Sequence, residues 1–385
     1  MSRNLAQKYS KVVDERFTRE SQVAAALGNA YRTEFTGVDT VKVYSIPTVP
    51  MQDYNRNGNV NVQGGGFFRY GIPKDLGRNL QTLKITKDRS FTFIIDKGDK
   101  IQSMMVSDAG KALSRQLNEV VVPEFDSYCF STFAAAATAI GNYDTTAATK
   151  QNAYELFLKA NEALGNANVP DAGRVAFCSY RFANLLKQDP AFMRYGDKSQ
   201  EMLVKGTIGE VDGVRLVKVP ASRLPAGAAM IMAHSIATVA PKQLEDYRIH
   251  DDPPGINGWL VEGRFIYDCF VLNNKAKALY YLGSQAVLKT LNVQTAASMT
   301  TGKSEIIVEP GALDGAKRYY MTAADATGLT AVTYGTAITT SAWTELTSNG
   351  MEITPTSGHK VVRVVEVDSS NNPIAIGDAV LNIGD

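Results

Sequence analysis

The sequence contains few of the residues from which disulfide scaffolds and metal sites are built. Among its 385 residues there are three cysteines and three histidines. Cys129, Cys178 and Cys269 are far apart, form no CxxC pair and lie in apolar runs. An odd number of widely spaced cysteines argues against a disulfide framework, so we expect buried free thiols in a reducing compartment.

The three histidines, His234, His250 and His359, have no metal-ligand partner at helical or hairpin spacing. His234 closes a predicted strand, so we interpret it as a structural histidine. His250 precedes Asp251 and Asp252, which could suggest a cation site. A cation cage needs more oxygen ligands and a defined turn, so we predict a solvated loop there.

No stretch matches the catalytic or nucleotide-binding motifs GxSxG, HExxH or GxGxxG. Three consecutive glycines, Gly64 to Gly66, lack the Lys-Ser/Thr ending and the strand-loop-helix context of a phosphate-binding loop. The sequence therefore predicts no catalytic residues, no cofactor and no metal site, and we interpret the chain as a non-enzymatic protein.

The chain also lacks a signal peptide, since its first twenty residues are charged throughout and contain no apolar core. No apolar run approaches the roughly 18 residues of a membrane span. Its 40 basic and 39 acidic residues give a net charge of +1, which provides no global attraction to nucleic acid or membrane. We expect a protein that is made in the cytoplasm and has no membrane partner.

Hydrophobic periodicity predicts the elements at the start of the chain. Apolar residues at helical spacing indicate an amphipathic helix over 4–30, and alternation indicates a strand over 38–49. Further strands are predicted at 80–85 and 89–95. A long apolar stripe over 104–139 predicts a helix that stops at Gly141-Asn142 and is kinked by Pro123.

The segment 51–77 has three consecutive glycines and few large aliphatic residues, so it cannot build a core of its own. We expect a projecting loop that docks on a neighbour. Between residues 50 and 100, basic residues outnumber acidic ones by nine to five. Aromatic and basic residues alternate there, and the candidate subunit-interface residues are Arg56, Phe67, Phe68, Arg69, Tyr70, Lys74 and Arg78.

The same loop allows a second interpretation, because interleaved basic and aromatic residues are typical of surfaces that stack single-stranded nucleic acid. Aromatic and arginine residues are also enriched in protein interfaces. We favour docking because the chain as a whole is neutral.

The middle of the chain alternates helix and strand. Asp212-Gly213, flanked by alternating apolar residues in Gly206–Pro225, predicts a tight β-hairpin. Around it the patterns predict helices at 149–164 and 180–187 and strands at 174–177, 229–233, 259–268, 269–272 and 275–281. This region is therefore predicted to be α+β.

From about residue 289 the composition changes to Thr, Ala, Gly and Val in short alternating runs with frequent turn signals. The runs are SEIIVEP, RYYMTA, TAVTYG, MEITPT, KVVRVVEVD and VLNI. They predict an all-β domain, typical of an immunoglobulin-like sandwich. Between residues 291 and 385 there are ten acidic and five basic residues.

Over residues 1–285, the order of elements resembles the major capsid proteins of tailed phages, which share the Hong Kong 97-type fold. The stretches that carry the resemblance are VPEFDSYCFSTFAAAA, RVAFCSYRFANLLKQDPAF, GTIGEVDGVRLVKVPASRLP and the segment from HSIATVAPKQ to KALYYL. The first is similar to the family's long spine helix, the next two to elements of its axial domain, and the last to its closing segment.

The resemblance implies a division into parts. We expect an N-terminal arm over 1–35, a strand and extended loop over 36–103, and the spine helix of a peripheral domain over 104–142. Residues 143–288 would form the axial domain and the return to the peripheral domain. Residues 289–385 fall outside the shared pattern and would form the C-terminal β-domain, which we expect on the outer surface because its acidic charge disfavours proximity to DNA.

The resemblance further implies that the chain forms hexamers and pentamers of an icosahedral head around double-stranded DNA, which it contacts non-specifically. Its expected partners are scaffold, portal and decoration proteins, and its expected location is the virion, after assembly in the host cytoplasm. Three alternatives stay open: an encapsulin-like nanocompartment shell, a nucleic-acid-binding protein that uses residues 51–100, and a phage-shell maturation protease that uses His234 or His250.

Overall fold

The computed structural model describes residues 21–23, 40–45, 48–54, 56, 70, 79–98, 109–190, 209–309, 312 and 315–384. They fall into two compact units, of which one is Val38–Lys84 and the other holds the remaining described residues. Most of the predicted N-terminal arm and of the Gly-rich loop lies outside the described residues.

The smaller unit is built on an antiparallel strand pair. Strand β1 (Thr40–Ser45) pairs with β2 (Asn79–Lys84), so that Val41 faces Leu83 and Ser45 faces Asn79. Val41 and Leu83 are buried, whereas Tyr44, which points to the opposite face, is 61% exposed. Because Ser45 and Asn79 are paired, residues 46–78 leave and re-enter the strand pair at the same end.

In the larger unit a long helix runs over residues 109–139, and we call it the spine helix. It consists of α1 (Ala109–Gln116), a π-helical turn (Leu117–Val121) and α2 (Val122–Ala139). The π turn directly precedes Pro123, which cannot donate a hydrogen bond to the preceding turn. The helix ends where predicted: Gly141, at a φ of +78°, donates to the carbonyl of Thr138.

A three-stranded antiparallel sheet packs on the first half of the spine helix. Its strands, in spatial order, are β10 (Lys242–Asp251), β11 (Gly258–Tyr267) and β3 (Lys87–Asp96). Its inner face buries Tyr247 and Val261 against Leu113 and Leu117 of the helix. A Cβ on Gly263 would lie 2.4 Å from the Phe91 ring, so glycine is needed where that ring packs over β11.

A six-stranded mixed sheet forms the centre of the larger unit. It is covered on one side by α3 (Ala153–Asn166) and α4 (Tyr180–Gln188) and on the other by the spine helix. Its order is β4 (Tyr143–Asp144), β13 (Leu279–Gly283), β8 (Ala228–His234), β5 (Arg174–Ser179), β7 (Val214–Val219) and β6 (Glu210–Val211). Both faces of β5 are buried: Phe177 faces the spine helix, and Ala176 and Cys178 face α3 and α4.

Short elements complete this part of the chain. Strand β9 (Thr238–Val239) pairs with β12 (Phe270–Val271). Single 3₁₀ turns are Ala221–Arg223, Asn273–Ala278, Ala326–Gly328 and Thr340–Ala342.

The C-terminal region is all-β, as predicted, and consists of two sheets around a common core that includes Ile306, Val362 and Val364. The first sheet has the order β14 (Lys289–Thr290), β21 (Pro373–Val380), β20 (Val361–Val367), β17 (Lys317–Ala323) and β18 (Thr344–Glu345). The second has the order β15 (Asn292–Ala297), β16 (Ser304–Glu309) and β19 (Met351–Ile353).

Some sequence-based predictions are wrong within the described residues. The predicted helix over 4–30 does not run through Ser21 and Gln22, which are not helical. His250 lies in β10 and not in a loop, because β10 is held by pairing with β11 instead of by an apolar alternation of its own. The strand predicted at 275–281 begins at Leu279, since Asn273–Ala278 forms a 3₁₀ turn.

The run TAVTYG, predicted as a strand, is a loop. Its Tyr334 packs edge-to-face on Tyr143, with the ring centroids 6.0 Å apart, and donates its hydroxyl to the carbonyl of Thr138 at 3.4 Å. Gly335 follows at a φ of +75°. The β-branched composition predicted a strand, but this tyrosine anchors the segment on the end of the spine helix instead.

Candidate subunit interface

Two of the seven predicted interface residues, Arg56 and Tyr70, belong to the described part of the chain. Arg56 is exposed and Tyr70 is 86% exposed. The other five, Phe67, Phe68, Arg69, Lys74 and Arg78, lie outside the described residues.

Tyr70 makes a ring contact across the loop. Its ring centroid lies 5.0 Å from that of Tyr54, and the planes meet at 68° in an edge-to-face arrangement. Tyr54 is 48% exposed and nearby Met51 is 99% exposed. We call the group Met51, Tyr54, Arg56 and Tyr70 the loop patch.

Sequence reasoning identified the loop but missed Met51 and the pairing of Tyr54 with Tyr70. The sequence signal that could have indicated an exposed Met51 is its position directly after Pro50, beyond the end of the predicted strand. The pairing has no sequence signal, because the fifteen intervening residues set no fixed geometry.

The loop patch can bind another protein surface by burying aromatic and thioether groups that are open to water in the subunit. Aromatic, Met and Arg side chains are the types enriched in protein interfaces. Each Å² of apolar surface removed from water contributes roughly 25 cal/mol, so an exposed Met and two tyrosines can add useful binding energy.

In the larger unit, the outer face of the sheet β10-β11-β3 is polar and internally paired. Arg264 holds Asp88 with two hydrogen bonds of 3.0 and 2.6 Å, and these bonds lower the pKa of Asp88. Neighbouring His250 and Glu262 are 3.2 Å apart. A shallow cavity of about 520 Å³ lies over this face. The charged side chains on this face are exposed and paired with each other, which is typical of a solvated surface. Such exposed pairs contribute little to stability.

A second shallow cavity, of about 280 Å³, lies between the spine helix and β3. It is lined by Phe93, Ala112, Arg115, Gln116, Glu119 and Val120. Arg115 and Glu119, one helical turn apart, form an ion pair of 2.8 Å. Val120 beside them is 45% exposed. The mixture of apolar and paired charged groups offers no arrangement for catalysis.

The predicted hairpin is present in the larger unit. Asp212 and Gly213 have φ values of +50° and +74°, which are typical of the tight type I′ turn that joins two antiparallel strands. The side chain of Asn161 on α3 donates to the Asp212 carboxylate at 2.8 Å. The hairpin tip is thus fastened to the helix layer and serves the fold.

The histidines have structural partners. Nε2 of His234 lies 2.9 Å from the carbonyl of Ala172, and the backbone N–H of Ile236 donates to Nδ1 at 3.0 Å. The structural interpretation of His234 is therefore confirmed. His359 pairs with the hydroxyl of Thr322 at 2.7 Å.

All three cysteines are buried and free, as predicted. Burial, followed by a hydrogen bond to Cys269, raises the pKa of the Cys129 thiol well above its ordinary value. Burial likewise raises the pKa of the Cys178 thiol. A protonated thiol is a poor nucleophile, so Cys129 and Cys178 are packing residues.

Asp268 is a buried acid of the core. Burial raises its pKa, although hydrogen bonds from Tyr128, Cys269 and Thr86 favour the ionised form. The Tyr128 hydroxyl donates to Oδ1 at 2.7 Å and the Thr86 backbone N–H donates to Oδ2 at 2.8 Å. These donors tie the chain before β3 to the spine helix.

Within the described residues, no group of three His, Cys, Asp or Glu side chains is placed to hold a metal ion. The helices found there include none that is both long and apolar enough to span a membrane.

Comparison with known proteins places this fold. A family model described as "Phage capsid protein" matches residues 80–282, more than half of the chain. No match is found among curated protein sequences. Among solved structures, a chain from Mycobacterium phage Che8 is 18% identical with a TM-score of 0.55, over 67% of this chain and 89% of that one.

Two further solved structures are similar at lower scores. The capsid of Cyanophage P-SCSP1u is 13% identical over 64% of this chain and 84% of that one, with a TM-score of 0.49. The virus-like particle from Pyrococcus furiosus is 8% identical over 73% and 100%, with a TM-score of 0.42. The family match covers the spine helix, the three-stranded sheet and the central mixed sheet. The chain therefore belongs to the phage capsid protein family and is a major capsid subunit.

Proposed function

We propose that the chain forms the hexamers and pentamers of an icosahedral head that encloses double-stranded DNA, and that its loop patch docks on a neighbouring copy. The observation that supports loop docking is exposure: Met51 is 99% exposed, Tyr54 48% and Tyr70 86%. Exposed apolar groups in a self-assembling protein are typical of contact surfaces.

In this proposal, shell assembly rests on many modest contacts repeated between neighbouring subunits. A closed shell uses head-to-tail interfaces that close by rotation. Each loop adds buried area without enlarging the subunit core, and a subunit held at several edges gains from the high effective concentration of its neighbours.

Deletion of residues 55–75 tests this proposal. Ser45 and Asn79 pair directly, and the remaining residues 46–54 and 76–78 are long enough to connect them. We expect a folded subunit with an unchanged far-UV circular dichroism spectrum that forms no shells in electron micrographs. Intact shells from the deletion variant would overturn loop docking.

A matched pair of point variants sharpens the test. Met51 and Met299 are both fully exposed, at 99% and 107%, but Met299 lies in the C-terminal β-domain. Met51→Ser should raise the subunit concentration needed for assembly, whereas Met299→Ser should leave it unchanged. Equal effects of the two variants would contradict a specific role of the loop patch.

The proposal retains the division into an N-terminal arm (1–35), a strand and extended loop (36–103), a spine helix of the peripheral domain (104–142) and an axial domain with its return (143–288). The two-sided burial of β5 supports a packed axial domain.

We further propose that residues 289–385 form an immunoglobulin-like sandwich on the outer surface of the shell. Two sheets around a common core support the sandwich, and ten acidic against six basic residues disfavour contact with DNA. An epitope tag placed after Asp385 should be bound by its antibody on intact shells. Binding only after disruption of the shells would place the domain inside.

In this proposal the subunit has no enzymatic activity, assembles in the host cytoplasm and contacts packaged DNA non-specifically. Scaffold, portal and decoration proteins are its expected partners. Expression of the chain alone, followed by electron microscopy and measurement of nucleic-acid content, separates the main proposal from a nanocompartment. Small shells that need no scaffold and load protein would favour the compartment.

A further inference from the structure

Asp126, in the second turn of α2, is completely buried, with an exposed fraction of 0%. Its carboxylate accepts three hydrogen bonds from two distant parts of the chain. The Ser21 hydroxyl donates to Oδ1 at 2.6 Å, and the Gln22 backbone N–H donates to Oδ2 at 3.0 Å. Arg223, in the 3₁₀ turn after β7, donates to Oδ2 at 3.0 Å.

Arg223 balances the charge of this carboxylate, and Ser21 and Gln22 donate further hydrogen bonds to it. A buried carboxylate is strongly unfavourable unless it is paired and hydrogen-bonded. The Arg223 guanidinium, whose side chain is 19% exposed, supplies the counter-charge. Ser21 and Gln22 supply neutral donors to the remaining lone pairs, so the N-terminal segment completes a site that exists on the spine helix.

The residues beside this contact fix the segment further. Val23 is 0% exposed and belongs to the same hydrophobic core as Phe125 and Phe130. The Gln22 side chain donates to the carbonyl of Lys218 in β7 at 3.0 Å, but its Oε1 is buried without a partner within the described residues. The Gln22 side chain thus keeps one buried oxygen without a hydrogen-bond partner within the described residues, whereas both carboxylate oxygens of Asp126 accept hydrogen bonds.

We propose that Asp126 is the anchoring site for the N-terminal arm, that it binds Ser21–Val23 of its own chain as a strap, and that Arg223 couples this strap to the turn after the β6–β7 hairpin. Arg223 bonds to Asp126 and acts on the strap by orienting and neutralising this carboxylate. Movement of the turn that carries Arg223 therefore weakens the hold on the arm. The inference concerns the folded subunit and does not depend on loop docking or on shell formation.

Amide hydrogen exchange of the full chain, read by mass spectrometry on the peptide that contains Gln22 and Val23, tests the strap. Ser21→Ala should accelerate exchange of this peptide about tenfold, the factor expected for losing one hydrogen bond to a charged group. Ser21→Thr, which keeps the hydroxyl, should restore slow exchange. Ser298→Ala removes a similar hydroxyl–carboxylate bond, to Glu352 in the β-domain, and should leave the peptide unchanged.

Arg223→Gln tests the coupling, because the substitution lies outside the strap. It should accelerate exchange at Gln22 while peptides from β5 and β20 keep their wild-type rates. Asp126→Asn should give the same local pattern with a larger factor. If that variant does not fold, Ser21→Ala and Arg223→Gln decide alone. Unchanged exchange at Gln22 in both of these variants, or equal acceleration in all peptides, would overturn the proposal.

Discussion

The loop patch and the core around the spine helix use the same aromatic side chains in opposite ways. In the core, Phe125, Phe265 and Tyr267 are 1–4% exposed and their ring centroids lie 4.6–6.1 Å apart. In the loop, Tyr54 and Tyr70 make an equally close ring contact while they stay 48% and 86% exposed. The same contact geometry stabilises the subunit in one place and leaves apolar surface exposed to water in the other.

The difference follows from what surrounds each pair. The core rings are enclosed by two layers of secondary structure, so their removal leaves a cavity. The loop rings, in contrast, stay largely open to water. Aromatic residues in the two places should therefore differ in what a substitution changes: the free energy of unfolding in the core, and the free energy of association in the loop.

The largest effect is expected in the core. Phe130 is 0% exposed and its ring lies 4.9 Å from that of Phe177. Phe130→Ala should lower the free energy of unfolding by about 3–5 kcal/mol, as measured by urea denaturation of the unassembled subunit. Tyr70→Ala, the matched loop variant, should change it by less than about 0.5 kcal/mol. Similar losses for both variants would remove the distinction between the two regions.

The second effect concerns association alone. Tyr54→Ser combined with Tyr70→Ser should raise the critical concentration for assembly by about tenfold, which corresponds to roughly 1.4 kcal/mol per contact, with no change in the melting temperature. Light scattering against subunit concentration measures it. Tyr180→Ser is the control, since Tyr180 is 54% exposed at the start of α4; an equal loss of assembly in the control would show that the effect is not specific to the loop.

A third test compares the family-matched region with the β-domain. Truncation after Leu288 should preserve assembly, because the β-domain has its own core. It removes the contact of Tyr334 with Tyr143, and such aromatic pairs contribute about 0.5–1.5 kcal/mol. Tyr334→Ala in the full chain should lower stability by a similar amount without affecting shells. A truncated chain that does not fold would show that the β-domain is integral to the core.

The smallest effect is a pH-dependent one. Partial burial tends to raise the pKa of Asp144, but hydrogen bonds from Lys159 and Thr146 outweigh it and lower the pKa to about 2. A depressed folded-state pKa gives stability above the unfolded value of 3.8, which is lost as the pH falls from there towards about 2.

Asp144→Asn should therefore cost about 0.5–1 kcal/mol at pH 6, and the difference from wild type should disappear near pH 2. Urea denaturation at several pH values measures this difference. A loss that is independent of pH would show that Asp144 acts through packing and not through its charge.

Local signals predicted the elements that local interactions form. The Asp212-Gly213 turn and the Gly141 helix stop depend on backbone angles that glycine and aspartate favour, and both are present. β10 was missed because its side chains do not alternate in burial and it is held by pairing with β11. The Asp126 site was missed for the same reason: its partners lie about a hundred residues away in the sequence.

The candidate interface could be proposed from the sequence as a region, but its geometry could not. Glycine content and the alternation of basic and aromatic residues predicted the loop, and Tyr70, one of the interface candidates named from it, is exposed. Its contact with Tyr54 joins residues far apart in the sequence, which no local pattern determines.

Negative-stain electron microscopy of the purified full chain tests the central claim most directly. The account predicts closed shells of uniform diameter at concentrations where the Tyr54→Ser, Tyr70→Ser double variant remains dispersed. A chain that is folded by circular dichroism but remains monomeric, at concentrations well above those used for the variants, would contradict it.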